Sequence, residues 1–446
     1  MNNKVMVGLD IGNSKVCAVV GRLNEQEDLE IMGVGTAHID QTVVRGLVRN
    51  VTKTVEAISK AINEASQISE VLIGEVITNI SSQNISSHFA SGTYILENDN
   101  QEIRHKDIDR LIENMKKGRS IAGNLILHVC PQEFKVDEMW KDVFNPAGMS
   151  GLKLEGDFLI LSSPLTATDG IDKCFKDSPT KTEIKEKLLS SLASSISTLT
   201  EEEKQAGVAL IDIGAGNTDI IIFQNNVVRH VSTLPIGGYD ITRDIQQGCS
   251  ILPDIAEKLK VKFGAAISNE VDANEVVTVP GIGIKSTKEI GVKNVALIME
   301  ERLKEIIALA WTEIKKSGFE SKLNAGLVIT GGCAQIPYIL DLFSLITSNE
   351  VRIGHPNINL AKNDFEIGND PAYATAIGLL WKGFKSYDAR KDEIEKVKSK
   401  EKVVGVSTKG SLFDEPVEKN FWKKSVNFLK KKLRDDSEEM NDKFDQ

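Results

Sequence analysis

Cysteine is scarce in this sequence and never paired. Cys17, Cys130, Cys174, Cys249 and Cys333 are spread over 446 positions without a C-x-x-C spacing. That excludes a disulfide scaffold and a structural zinc site, and it is the usage expected of a reducing cytosol. Histidine is nearly as rare. The six residues, His38, His88, His105, His128, His230 and His355, are dispersed and form no H-x-E or H-E-x-x-H motif. No G-x-S-x-G occurs either, which removes the usual zinc-hydrolase and serine-hydrolase signatures. No apolar run reaches the roughly 18 residues of a membrane span. A secretory signal is not expected, because Lys4 and the strand-like residues 5–10 come too early for one. Positive charge is in deficit, with a net charge of -10. Bulk binding to nucleic acid needs a basic footprint and is excluded on that ground.

What remains is an ordinary globular composition, 41% apolar and 26% charged. The length is about three times that of a typical domain, so two or more domains are expected. Residues 4–10 read as an apolar strand running into Asp10-Ile11-Gly12-Asn13-Ser14-Lys15. Strands follow at 16–21 and 30–37, with hairpin chemistry between the first two. Residues 50–69 carry apolar side chains at helical spacing. Residues 71–77 read as a strand, and 80–163 as a small α+β insert with a charged helix near 106–117 and a strand at 125–129. A Ser- and Ala-rich helix is expected over 181–199. A buried strand at 208–212 then enters Gly214-Ala215-Gly216-Asn217-Thr218-Asp219 and leaves through 220–223. Helices are expected at 241–248, 255–263, 296–317 and 369–381. A strand at 327–330 ends in Gly331-Gly332-Cys333-Ala334.

The two Asp-Ile-Gly segments are alike, each a strand, an acid, a polar turn and a second strand. Their separation of about 200 residues points to two related halves facing each other. Glycine-rich turns let backbone N–H groups approach phosphate oxygens closely. An Asp just before each turn can hold Mg²⁺ through water, since that ion keeps much of its hydration shell. Lys15 can reach a β- or γ-phosphate as a point charge. A single such segment reads equally as a plain turn, and the weight lies in the pair. Gly331 and Gly332 after a strand would let backbone lie flat beside an adenine or ribose. Alone, a Gly-Gly pair is more often a loop. Glu257 and Lys260, three apart on one helical face, fit either ribose contacts or an exposed ion pair. There is no G-x-x-x-x-G-K-[ST] loop, and no G-x-G-x-x-G follows a strand.

The end of the chain changes character. Residues 385–418 read as a flexible, charge-mixed linker. Beyond it, Phe421, Trp422, Val426, Phe428, Leu429 and Leu433 fall within an arc of about 160° on a helical wheel. Residues 419–434 carry seven positive charges and no acid. A helix of that kind lies in an anionic membrane surface, or docks on the body or on a partner. Residues 435–446 hold six acids and one lysine.

In the order of its two Asp-Ile-Gly turns and its Thr330-Gly331-Gly332 turn, the chain resembles the actin-like ATPase superfamily. Within it, the chain resembles the FtsA family of bacterial cell-division actin homologues. The stretches that carry this likeness are residues 127–134 (Leu-His-Val-Cys-Pro-Gln-Glu-Phe), 145–151, 192–195 with 199–204, and 369–379. The resemblance implies an α/β, two-lobed actin-like ATPase fold with an α+β insert of the 1C type. Lobe I would comprise residues 1–81 and 164–204, with the insert at 82–163. Lobe II would span 205–368, with an outer subdomain at about 243–295. A return helix at 369–384, the linker at 385–418, an amphipathic helix at 419–434 and an acidic tail at 435–446 would follow.

The same resemblance implies ATP and Mg²⁺ as cofactors. The phosphates would meet Asp10, Gly12, Asn13, Ser14, Lys15, Asp212, Gly214, Gly216, Asn217 and Thr218. Adenosine would meet Glu257, Lys260, Gly331, Gly332 and Ala334, and the metal Asp10 and Asp212. It implies a homopolymer that tethers FtsZ, through the FtsZ C-terminal peptide, to the inner face of the cytoplasmic membrane at the division site, and that recruits later division proteins. Ala193-Ser194-Ser195-Ile196, in the connecting helix, offers no carboxylate, His or Gln to position a water. Slow hydrolysis or none is therefore expected. Ala215 replaces a common glycine, and the acidic tail lies beyond the expected end of the helix. A sugar or small-molecule kinase of the same superfamily, and a pilus-assembly actin homologue, are the alternatives. A kinase requires a general base that no motif here supplies.

Overall fold

The computed structural model describes residues 4–96, 101–117, 123–137, 139–281, 287–361 and 365–386. The chain divides into a unit of residues 1–388 and a second of 389–446. The expected linker beyond residue 386, the amphipathic helix and the acidic tail lie outside the described residues.

Two five-stranded sheets form the body. In the first, β1 (Val5–Ile11), β2 (Lys15–Leu23) and β3 (Leu29–His38) make an antiparallel meander. On the other side of β1, β4 (Glu75–Ile80) and β9 (Glu183–Leu189) add in parallel, giving the order β9-β4-β1-β2-β3. The second sheet repeats the plan. Here β10 (Val208–Ile213), β11 (Thr218–Gln224) and β12 (Val227–Leu234) form the meander. Strands β13 (Leu327–Thr330) and β14 (Val351–Ile353) add in parallel, in the order β12-β11-β10-β13-β14. Every residue of β10 is buried, as expected of a central strand covered on both faces.

Helices cover the sheets because their apolar residues recur at 3.6-residue spacing. Helix α1 (Val51–Ser69) buries Ala57, Ile58, Ala61, Ile62 and Ala65 in one core with β1 and β2. Its first turn is capped by the Asn50 side chain, which accepts from Lys53 N at 3.0 Å and contributes about 1 kcal/mol. In the second half, after the short helix α5 (Glu201–Ala206), helices α6 (Gly238–Cys249), α7 (Pro253–Phe263), α8 (Val292–Lys316) and α9 (Ile339–Thr347) enclose a larger core with β10, β11 and β13.

Between β4 and β9 lies the insert. Its sheet has the order β7-β6-β8-β5, from β5 (Ser86–Ile95), β6 (Asn124–Val136), β7 (Trp140–Val143) and β8 (Lys153–Pro164). Helix α2 (His105–Lys117) closes one face over Phe134, Leu154 and Phe158. Helix α3 (Leu165–Lys176) then leads back to β9. Leu159 and Leu161 of β8 share a further core with Leu189, Leu210 and Ile221, so the insert is packed into the body.

Three expected elements are corrected. Residues 181–199 are not one helix: Glu183–Leu189 is strand β9, and only Ser190–Thr198 is helical, as α4. The Glu- and Lys-rich segment has helical propensity, but a long-range partner, β4, supplies its hydrogen bonds instead. The strand expected at 71–77 begins only at Glu75, after Gly74. The helix expected at 369–381 starts at residue 374 and runs to 386 (α10), because Pro371 shapes a preceding 3₁₀ turn capped by Asp370.

Candidate functional site

The two Asp-Ile-Gly hairpins meet over one cavity of about 460 Å³. That volume lies within the range of small-ligand sites. Asp10, Gly12, Asn13, Ser14 and Lys15 line it from the first half. Asp212, Gly214, Ala215, Asn217 and Asp219 line it from the second. Glu257 and Lys260 on α7, with Gly331, Gly332 and Cys333 after β13, complete the opposite end. The hairpins are equivalent in register as well as in sequence. Asp10 pairs with Cys17 across β1 and β2, and Asp212 with Asp219 across β10 and β11.

Three residues expected in the site stand behind its wall. Gly216 is the point at which the hairpins touch: a Cβ there would fall 2.7 Å from Asn13 Cγ. Thr218 is buried and donates to Ile236 O at 2.9 Å, which holds the base of the turn. Ala334 is buried in the short 3₁₀ turn Gly332–Gln335. Gly331 needs to be glycine twice over. Its φ is +86°, and a Cβ there would collide with Asp212 Oδ1 and the Ile213 carbonyl.

Cross-cleft bonds hold the halves together. Tyr239 on α6 donates its hydroxyl to Asn13 O at 3.1 Å. Asn217 Nδ2 donates to Ser81 Oγ at 2.9 Å. Asn13 Oδ1 accepts from Gly46 N at 3.2 Å, fixing the first turn from a third direction. Asn217 Oδ1 is buried and has no protein partner. A buried acceptor left in that condition is costly unless a ligand or water donates to it.

The electrostatics point the same way. Burial pushes Asp212 up to about 7, with Asp219 and Asp10 raising it further and the Ser194 and Thr375 hydroxyls opposing. Burial raises Asp10 to about 6 against the pull of Lys15. Asp219 also reaches about 6 through burial, offset by Thr233 and Ser81. Three carboxyls disfavoured as anions in one cavity make a strong demand for a cation. Among the described residues no three His, Cys, Asp or Glu side chains are grouped to ligate one ion directly. An ion there would keep much of its water, as Mg²⁺ does.

Lys15 Nζ rests 3.5 Å from the centroid of the Tyr373 ring, a cation–π contact rather than an ion pair. Glu257 and Lys260 form an ion pair at 2.7 Å, and both also line the cavity. Lys260 donates to Gly238 O and Thr242 Oγ1 as well, so its ammonium is held in place. From α4 the cavity is lined by Ser190; of Ala193–Ile196, which do not line it, Ser194 reaches Asp212 with its hydroxyl from behind. The sequence motifs gave no notice of Asn79, Ser81, Ser190 or Tyr239, which come from other elements. Asp219 was visible within the second motif, and its place opposite Asp212 follows from the hairpin register.

Two sheets of one topology, related turns facing across a cavity and an inserted α+β subdomain define an actin-like fold. Solved structures agree. The chain superposes on the PilM-PilN type IV pilus biogenesis complex with a TM-score of 0.60, at 13% identity, covering 85% of this chain and 98% of that one. MreB5 of Spiroplasma citri bound to ADP gives 0.51 at 12% identity, covering 87% and 98%. These likenesses establish the fold alone.

The family is fixed by sequence. The family model "Cell division protein FtsA" matches residues 209–378, and "SHS2 domain inserted in FTSA" matches 82–162. Cell division protein FtsA of Pseudomonas aeruginosa is 33% identical over 384 residues, 86% of this chain and 90% of the relative. That of Borreliella burgdorferi is 33% identical over 403 residues, 90% and 96%. That of Escherichia coli K12 is 30% identical over 402, 89% and 94%. The chain belongs to the FtsA family of cell division proteins.

Proposed function

We propose that this cell division protein binds ATP with Mg²⁺ in the cleft and assembles into actin-like protofilaments. In that state it tethers FtsZ, by the FtsZ C-terminal peptide, to the inner face of the cytoplasmic membrane and recruits later division proteins. The observation that carries the reading is the meeting of both Asp-Ile-Gly hairpins over one cavity that also takes in Glu257, Lys260, Gly331 and Gly332. Backbone N–H groups of the two turns would cradle the phosphates. Asp10 and Asp212 would hold hydrated Mg²⁺, and the metal would neutralise charge on the phosphates. Lys15 would leave the Tyr373 ring for a phosphate oxygen, a stronger partner for an ammonium. Lys260 and Glu257 would face the ribose hydroxyls, beside the Gly331-Gly332 backbone.

Hydrolysis is expected to be slow. The α4 residue on the cavity, Ser190, has its hydroxyl committed to the Ile80 carbonyl, at 3.3 Å, and to Asn79 Nδ2, at 3.1 Å. It is therefore a poor group to activate water. Membrane attachment rests on the amphipathic pattern of residues 419–434.

The reading is tested by co-sedimenting the full chain with anionic vesicles and FtsZ C-terminal peptide, with and without Mg-ATP. Peptide should reach the vesicle pellet only when the protein is present. Protein that pellets without carrying the peptide would contradict the tether. A coupled ADP-release assay across sugars tests the kinase alternative, which rapid sugar-dependent turnover would support.

A further inference from the structure

One polar residue built tightly into the cleft lies outside both Asp-Ile-Gly motifs. Asn79 is the penultimate residue of β4, just before Ile80, and is almost fully buried, at 3% exposure. The backbone pairing of β1 with β4 runs only through Gly8–Ile77 and Leu9–Thr78. At the next position the Asn79 side chain takes over. Its Oδ1 accepts from Ile11 N at 2.8 Å. Its Nδ2 donates to Asp10 Oδ1 at 2.7 Å and to Ser190 Oγ at 3.1 Å. The amide can face only this way, because a backbone N–H needs an acceptor and a carboxylate needs a donor. Thr78 adds a bond to Leu9 O at 2.9 Å just below.

We infer that Asn79 is a positioning residue for the metal–phosphate end of the cleft, holding the Asp10 carboxylate and the start of the first turn in the geometry that a hydrated Mg²⁺ requires. The inference rests on the Mg-ATP reading of the cleft. With Asp10 Oδ1 occupied by Asn79, Oδ2 is the oxygen left for the ion's water shell. The same side chain fixes Ile11 N, immediately ahead of the Gly12 turn. Without it, a buried carboxylate between Lys15 and Asp219 could turn to other partners, and β1 would fray one residue before the phosphates. Partners that orient metal-binding groups change metal affinity by on the order of ten- to a hundredfold when removed.

The test is a titration of the full chain with ATP, in Mg²⁺ and separately in EDTA. Wild type should bind more tightly in Mg²⁺. Asn79→Ala should lose about tenfold or more of that metal-dependent gain, with a smaller loss of affinity in EDTA, where only the fixing of the first turn is forfeited. Thr78→Val removes the neighbouring bond to Leu9 O but leaves the Asn79–Asp10 contact, and it should keep the gain. Thermal melting without nucleotide checks the fold. Should Asn79→Ala fail to fold, Asn79→Ser carries the same comparison, since its hydroxyl is too short to span to Asp10. An undiminished gain in a folded Asn79 variant, or equal losses in Mg²⁺ and EDTA, would overturn the inference and leave the cleft reading standing. Wild type that binds ATP under neither condition would overturn both.

Discussion

Asp10 and Asp212 occupy the same place in two sheets of one topology: each is the penultimate residue of its central strand, immediately before a Gly-containing turn. Both are buried, and burial raises both above the usual carboxylate range. Two acids placed so symmetrically over one cavity would be a liability in a purely structural role. A shared cationic ligand removes the liability.

Replacing Asp212 by Ala should therefore weaken Mg-ATP binding by on the order of a hundredfold. Calorimetric titration measures this directly, and unchanged affinity would refute the assigned role.

The raised acids also set a pH dependence. Asp212 has a folded pKa of about 7, above its ordinary value near 3.8. The folded state thus holds a proton that the unfolded state releases, and stability falls as pH rises through that window. The penalty is complete above about pH 7 and absent below about pH 4. In the absence of nucleotide and metal, Asp212→Asn should melt at a higher temperature than wild type at pH 8. The two should converge as pH is lowered towards 4. A difference that did not vary between pH 8 and pH 4 would contradict the assignment.

Tyr239 ties the second half to the first by one hydroxyl, on Asn13 O. A single hydrogen bond of this kind contributes about 1 kcal/mol. Tyr239→Phe keeps the ring and should speed release of a fluorescent ATP analogue about fivefold, on that energy. A release rate equal to that of wild type in stopped flow would show that the bond does not restrain the cleft.

At the far end of the chain, Trp422→Glu would place a carboxylate inside the apolar arc of residues 421–433. Burying that charge in a lipid interface is unfavourable. The variant should stay in the supernatant when spun with anionic liposomes, where wild type should pellet. Co-sedimentation of the variant would mean that another surface makes the contact.

Much of this was legible in the amino-acid order. Strand 327–330 coincides with β13, and the helical spacing read over 50–69 coincides with α1, because local pattern and tertiary partner agree there. Both Asp-Ile-Gly turns were recognisable because close backbone approach demands glycine beside a short polar residue. Strand β9 was not, since Glu, Lys and Leu favour a helix until β4 pairs with them. Asn79 and Tyr239 were hidden for a related reason. A lone Asn in a strand or Tyr on a helix becomes part of a site only when folding brings it against Asp10 or Asn13.

A crystal structure of the full chain with Mg²⁺ and a non-hydrolysable ATP analogue tests the cleft most directly. The phosphates should lie between Gly12–Lys15 and Gly214–Asn217, with hydrated magnesium near Asp10 and Asp212 and the base beside Gly331 and Gly332. A nucleotide bound elsewhere, with the two hairpins apart and the space between them open, would contradict it.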